Sequence, residues 1–376
     1  MDNSDTFEIF LTAPPGLEQA LLREVVEAGF STPQIVPGGV TIMGGWSDVW
    51  QANLRLRGAA RVLARIGAFR AFHLAQLDKR ARKFPWETVL RADVPVRVET
   101  TTNKKSKIYH AGAATQRIER AIQETLGAPI DAAAEVTVKL RIDDNMCTFS
   151  VDTSGEGLHK RGHKTAVGKA PMRENLAALF LRECGYTGQE PVVDPMCGSG
   201  TFVIEAAEIA SGLLPGRSRS FAFEKLATFD PDAWAAVRDA PPMRATDLRF
   251  YGSDRNAGAV EMATSNADRA GVSALVEISQ QAVSDLMPPV QTGENQTGLV
   301  IVNPPYGARI GNKKLLYALY AALGETLMAQ FSGWRVGIVT SETSLAKATN
   351  LPFLPYGPPI AHGGLKIRLF KTDPLP

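Results

Sequence analysis

The chain opens on alternation. In FEIFLTA (Phe7 to Ala13) every second residue is apolar, the period of a strand with one face on a core. PGLEQALLREVVEAG (Pro15 to Gly29) then changes to helical spacing at Leu17, Leu21, Leu22 and Val25. It has proline in its first turn and glycine at its end. GVTIMG reads as a second strand, WSDVWQANLRLR as a helix, and ARVLARIGAFRA ends in a strand. Together they predict a small α+β unit over residues 1–70.

A second α+β unit is predicted over residues 71–155. VPVRVETTT is a strand and AGAATQRIERAIQETLG a helix. EVTVKLRID and NMCTFSVDTS form a hairpin that turns at Asp143, Asp144 and Asn145. Residues 156–171 are rich in glycine and lysine and read as a basic linker. From Met172 to residue 376 helix and strand alternate, the pattern of a parallel sheet in an α/β domain.

Composition narrows the class. A chain of 376 residues with 44% hydrophobic and 21% charged residues is globular and long enough for more than one core. No apolar run reaches the length of a membrane span, and the acidic start MDNSDTFEIF lacks a signal-peptide core, so a cytoplasmic protein is expected. Cys147, Cys184 and Cys197 show no C-x-x-C pairing, and no metal site is expected. Charge is uneven. Arg55 to Lys107 carries 14 Lys and Arg against 4 Asp and Glu, or +10 in a chain of net +2, leaving −8 for the remainder. NKKSK (Lys104, Lys105, Lys107) and LHKRGHK (Lys160, Arg161, Lys164) are the clusters expected to meet a polyanion.

The chemistry concentrates in the last domain. An apolar strand runs into Asp194, and a turn, Met196 to Thr201, leads into the helix FVIEAAEIA. Gly198 and Gly200 permit tight turning and let a ligand approach the backbone, and the loop's N–H groups favour a carboxylate or phosphate. The strand RFYGSD ends in Asp254, where such folds place an acid for ribose hydroxyls. The loop is neither G-x-G-x-x-G nor a Walker sequence, which disfavours a dinucleotide and ATP hydrolysis. Farther on, GLVIVNPPYG carries a strand into two prolines. Neither can donate to a ladder, so Asn303, Pro304, Pro305 and Tyr306 form a stiff corner with acceptors and an aromatic ring.

DPMCGSGT, GSD and NPPYG in this order resemble the class I S-adenosylmethionine (SAM) methyltransferases that methylate amines. With the two upstream units, LHKRGHK and APMRENLAA, the chain resembles the THUMP-domain RNA methyltransferases, specifically the bacterial 23S rRNA guanine-N2 enzymes. The resemblance implies a Rossmann-like SAM domain behind ferredoxin-like and THUMP-like units. Some relatives carry a second methyltransferase domain behind it, and a chain of this length is expected to have one only.

The resemblance also implies a site. Asp194, Pro195, Met196, Cys197, Gly198, Ser199, Gly200 and Thr201 would hold the methionine end of SAM. Asp254 and Arg255 would lie at its ribose, Gln281 and Ala282 at its adenine, where relatives often have an acid. Asn303 would border both cofactor and base. An exocyclic base amine is a poor nucleophile because its lone pair is delocalised. The Asn303 oxygen and the Pro304 carbonyl would accept its two N–H bonds and direct that lone pair at the methyl group. Tyr306 would stack on a base removed from its helix, worth about 1–3 kcal/mol. The alternatives are a tRNA guanine-N2 methyltransferase and a non-catalytic ribosome-assembly factor with a vestigial SAM fold. A DNA adenine-N6 enzyme shares NPPY but not the basic front half.

The remaining residues read as structural. The five histidines show no ligand spacing and are expected at the surface or facing RNA. Cys197 is expected to pack as a small residue, and Trp46, Trp50 and Trp86 to lie in the core. HGGLKIRLFK is expected to be a last antiparallel strand.

Overall fold

The computed structural model describes residues 6–165, 172–239, 243–289, 297–307 and 313–376. The chain forms two compact units. One gathers Met1–Ala13, Leu22–Leu158 and Arg219–Ala240; the other gathers Pro14–Leu21, His159–Ser218 and Pro241–Pro376.

The elements of the front half follow the hydrophobic pattern closely. They are β1 (Phe7–Thr12), α1 (Glu18–Glu27), β2 (Gln34–Val36), β3 (Gly39–Gly44), α2 (Trp46–Arg55), β4 (Arg61–Arg70), α3 (Leu74–Ala81), β5 (Val96–Thr102), α4 (Ala111–Leu126), β6 (Val136–Asp143) and β7 (Met146–Asp152). The seven strands make one sheet in the order β2-β3-β1-β4-β7-β6-β5. The two predicted α+β segments therefore share a single sheet, joined where β4 runs antiparallel to β7 from Leu63↔Asp152 to Arg70↔Met146. The predicted hairpin turn is present, with Asp144 (φ 47°) and Asn145 (φ 60°) both in the left-handed region that short polar side chains tolerate.

Residues 219–240 return to this unit from far along the chain. Trp50 of α2 lies 6.1 Å from Phe223, 6.1 Å from Phe229 and 6.4 Å from Trp234, ring centre to ring centre. Trp234 belongs to α7 (Pro231–Arg238). Trp50 and Trp86 are buried, as expected of core aromatics, whereas Trp46 is half-buried.

The second unit contains α5 (Glu174–Glu183), β8 (Val192–Asp194), α6 (Thr201–Ser211), β9 (Phe250–Asp254), α8 (Ala257–Ala270), β10 (Val276–Gln280), β11 (Leu299–Val302), α9 (Lys313–Gln330), β12 (Arg335–Thr340), α10 (Thr343–Ala348), β13 (Ile360–His362) and β14 (Leu365–Lys371). Its sheet order is β10-β9-β8-β11-β12-β14-β13. The first five strands are parallel, and β14 is antiparallel to β12, which makes HGGLKIRLFK the last antiparallel strand. This is an α/β, Rossmann-like sheet. Its strand order reverses between β8 and β11, and ligands in such sheets bind beyond the carboxyl ends of the strands at that point.

Candidate active site

The loop after β8 is built by backbone hydrogen bonds to its neighbours. The Cys197 amide donates to the Ser253 carbonyl of β9 (2.9 Å), and Asn266 of α8 donates to the Ser199 carbonyl (3.0 Å). Gly198 (φ 53°) and Gly200 (φ 81°) both occupy the left-handed region, which glycine enters without steric cost. A Cβ on Gly198 would meet nothing within 4 Å, so the loop faces open space there. On Gly252 a Cβ would come within 2.7 Å of Ile278 and 3.2 Å of the Cys197 sulfur, which explains the glycine in the GSD segment.

Two acids flank this loop. Asp194 is buried at the end of β8, and its Oδ1 accepts the Met196 amide (3.2 Å). Burial pushes its carboxyl up to about 8, and nearby Asp254 adds to the rise. A buried carboxyl short of donors suits an arriving ammonium group. Asp254, at the end of β9, accepts the Gly198 amide on Oδ2 (3.1 Å) and the Asn256 amide on Oδ1 (2.9 Å). A carboxylate offers about four acceptor positions, so it retains capacity for hydroxyl groups. Pro195 is buried and Arg255 exposed. Burial likewise raises the Cys197 thiol far above its usual range, consistent with packing and not with attack.

Beyond β10, the Gln281 amide donates to the Asp254 carbonyl (3.1 Å), tying the third strand's end to the acid. Its side-chain nitrogen donates to the Asp285 carbonyl (2.5 Å). That commitment turns the Gln281 carbonyl oxygen into the group available to an amine. Ala282 is exposed.

The Asn-Pro-Pro-Tyr corner follows β11. Pro304 is buried and Asn303 half-buried, yet the Asn303 Oδ1 is itself buried and accepts no hydrogen bond among the described residues. Buried acceptors nearly always have a partner, so a lone one marks a place where a donor is expected. The corner is held from behind. The Gly307 amide donates to Glu342 Oε1 (3.2 Å), and the Tyr320 hydroxyl lies 3.1 Å from Thr340 Oγ1 and 3.4 Å from the Pro305 carbonyl. Tyr306 is partly buried and packs against the core cluster around Val300, Val302 and Tyr320. Residues 308–312 lie outside the described residues.

The second basic cluster departs from expectation. Lys160 is exposed, but Arg161 is buried and paired with buried Glu205 (3.3 Å). Lys164 is largely buried too, donating to the Met172 carbonyl (2.8 Å) and Thr201 Oγ1 (2.8 Å) and pairing with Glu174 (3.2 Å). His163, expected at the surface, is buried 3.8 Å from Glu208, which also takes Arg217 (2.5 Å). Within the stretch read as a basic linker, Arg161, His163 and Lys164 are pinned to α6. The reason is on that helix, where Glu205 and Glu208 sit within an otherwise apolar face and need cations beside them. This pair of acids in VIEAAEIA was the signal available in the sequence. Glu342 and Tyr320 gave none, since both act through residues distant along the chain.

Among the described residues, no group of three or more His, Cys, Asp or Glu side chains could hold a metal ion, and no helix is long and apolar enough to cross a membrane.

Residues 161–352 match the family described as "RMKL-like, methyltransferase domain", which is half of the chain. The chain belongs to this family. Residues 8–63 match a second description, the RlmL ferredoxin-like domain, in agreement with the expected front unit. Among curated proteins, the ribosomal RNA large subunit methyltransferase K/L of Psychromonas ingrahamii is 34% identical over 351 residues, covering 89% of this chain and 46% of that one. The chain thus spans about half the length of the curated relatives it matches. Among solved structures, SMU.472 in complex with SAH superposes with a TM-score of 0.87 at 28% identity over 100% of both chains. A chain described as a predicted N6-adenine-specific DNA methylase from Listeria monocytogenes gives 0.83 at 29% identity, over 98% of this chain and 96% of that one.

Proposed function

We propose that the chain transfers a methyl group from SAM to the exocyclic N2 amine of a guanine in 23S rRNA. The buried Asn303 Oδ1 at the carboxyl end of β11, without a partner among the described residues, is the observation that carries this reading. An acceptor without a donor, beside an N–H-free proline, is what an exocyclic amine requires.

The residues present fit SAM. Asp194 would take the ammonium group, the loop Pro195 to Thr201 the methionine end, Asp254 the ribose hydroxyls with Arg255 beside them, and Gln281 with Ala282 the adenine edge. When bound, the cofactor supplies an electrophilic methyl group on a sulfonium. The chain's own work is alignment. Asn303 Oδ1 and the Pro304 carbonyl accept hydrogen bonds from the two amine N–H groups and direct the nitrogen lone pair. Tyr306 stacks on the base. With the methyl group supplied from the sulfonium, the amine nitrogen would lose one proton to solvent, so no residue need act as a strong base beforehand.

RNA is the macromolecular partner in this reading, a 23S rRNA or a ribosomal precursor particle, held by the front unit. Residues 71–155 act as a THUMP-like RNA-binding segment within the sheet they share with residues 1–70. Lys104, Lys105 and Lys107 of this unit are exposed and suit phosphates, as does exposed Lys160 of the other unit. Arg161 and Lys164 are withdrawn from that role by their buried partners.

The test uses total RNA from cells lacking the protein, incubated with the pure enzyme and methyl-labelled SAM, then separated by size and digested to nucleosides. Label in N2-methylguanosine of the large rRNA is expected. Label in tRNA would change the target, and label in N6-methyladenosine would overturn the base. Absence of label from both free RNA and immature ribosomal particles would overturn the catalytic reading.

A further inference from the structure

The segment after β5 is exposed yet tightly built. Asn103 Oδ1 accepts the Lys105 amide (3.1 Å) and the Ser106 hydroxyl (3.0 Å), while its nitrogen donates to Asp143. The Lys107 amide donates to Asn145 Oδ1 (2.9 Å), and Thr102 Oγ1 donates to the Ile108 carbonyl (2.6 Å). Residues 104–107 form a turn, closed by the Ser106 amide on the Asn103 carbonyl (3.1 Å); it buries Ser106 and Ile108 and leaves Lys105, Lys107 and Tyr109 exposed. Tyr109 is 73% exposed, the largest exposure of any large apolar or aromatic side chain among the described residues. Its ring lies 5.5 Å from that of His110.

A second ring shares this end of the sheet. Asn145 takes the Ala71 amide on its carbonyl (2.9 Å) while it holds Lys107, and Phe72 follows at once. Phe72 is 40% exposed, and the Lys107 ammonium stands 5.6 Å from its ring centre. Of the acids nearby, Asp143 is paired with Arg141 (2.9 Å) and bonded by Asn103, while Arg70 donates to the Asp144 backbone carbonyl (3.2 Å).

We infer that Tyr109 and Phe72, with Lys104, Lys105 and Lys107, form a platform for an unpaired stretch of RNA. This rests on the reading that RNA is the substrate. Aromatic faces interleaved with cations bind single strands because every base has a face to stack and every phosphate a charge to neutralise. Double-stranded RNA keeps its bases stacked inside and cannot use the rings. The fixed backbone means little ordering is left to be done on binding. A protein partner would be drawn to the same rings, but the lysines around them favour a polyanion.

The experiment measures binding of a single-stranded oligoribonucleotide and of an RNA duplex to the full chain across a salt series. Tyr109→Ala and Phe72→Ala are each expected to weaken single-strand binding about five- to a hundred-fold, with the salt slope unchanged and duplex binding unaffected. Tyr109→Trp should restore affinity. Replacing Lys104, Lys105 and Lys107 by alanine should instead flatten the slope by about one unit for each phosphate that is no longer neutralised. Ring variants that bind like the wild type would overturn the inference and leave the methylation reading standing. Equal loss on duplex and single strand would overturn stacking as the cause. A wild-type chain that binds neither RNA would overturn both.

Discussion

The Gly198 amide donates to Asp254 Oδ2 at 3.1 Å, so the acid that ends β9 also closes the glycine turn that follows β8. In the proposed site, the acid assigned to the ribose and the loop assigned to the methionine end are thus one hydrogen-bonded piece. Replacing Asp254 by alanine removes the acceptors for both. A hydrogen bond to a charged group contributes about 1.5–3 kcal/mol, so SAM affinity should fall at least ten-fold. Asp254→Asn, which keeps an oxygen for Gly198, should lose less. Isothermal calorimetry of both variants checks this, and equal losses would refute the shared role.

Asn303→Ala separates chemistry from cofactor binding. The orphaned Oδ1 is assigned to the substrate amine. Turnover should drop by about 100-fold or more, in the range seen when one positioned donor or acceptor of an active site is removed. SAM affinity should remain nearly that of the wild type. Undiminished turnover would exclude the amine-directing role.

Asp194 gives a pH signature. Burial raises its carboxyl to about 8 from the ordinary 3.8, so the folded protein keeps a proton that the unfolded chain releases. That contribution to stability is complete below about pH 4 and is lost as pH rises through about 8. Thermal unfolding midpoints should therefore fall from pH 5 to pH 8 more steeply in the wild type than in Asp194→Asn. Parallel curves for the two proteins would show that Asp194 is ionised throughout.

Arg161 and Glu205 form a buried pair, with side chains 1% and 2% exposed. Arg161→Ala leaves the Glu205 charge buried and short of its partner. Loss of about 3–5 kcal/mol is expected, seen as a large drop in the unfolding midpoint. The salt dependence of RNA binding should not change. A flattened slope without loss of stability would return Arg161 to the RNA-facing set.

Most elements were legible because their hydrophobic periods are clean. The alternation in Phe7 to Ala13 and in NMCTFSVDTS became β1 and β7, and the Asp144-Asn145 turn sits where the polar residues demanded one. The Asp194, Gly198, Asp254 and Asn303 positions were legible because strand ends and glycines punctuate the sequence there. The fate of LHKRGHK was not. Charge density suggested a polyanion, whereas the decisive partners, Glu205 and Glu208, lie on a helix formed later in the chain. The pairing of β4 with β7, which joins two segments into one sheet, likewise depends on residues about eighty positions apart, from Leu63↔Asp152 to Arg70↔Met146.

The return of Phe223, Phe229 and Trp234 to Trp50 has a consequence for synthesis on the ribosome. Chains emerge from the amino end, and domains generally fold as they appear. Here the front unit cannot complete its aromatic cluster until β8 and α6 of the other unit have already been made. Trp50 must wait with an uncovered face while nascent chain accumulates behind it. The two units thus mature on an interleaved schedule, and a genetic cut at Leu158 would deliver a front unit lacking its final layer.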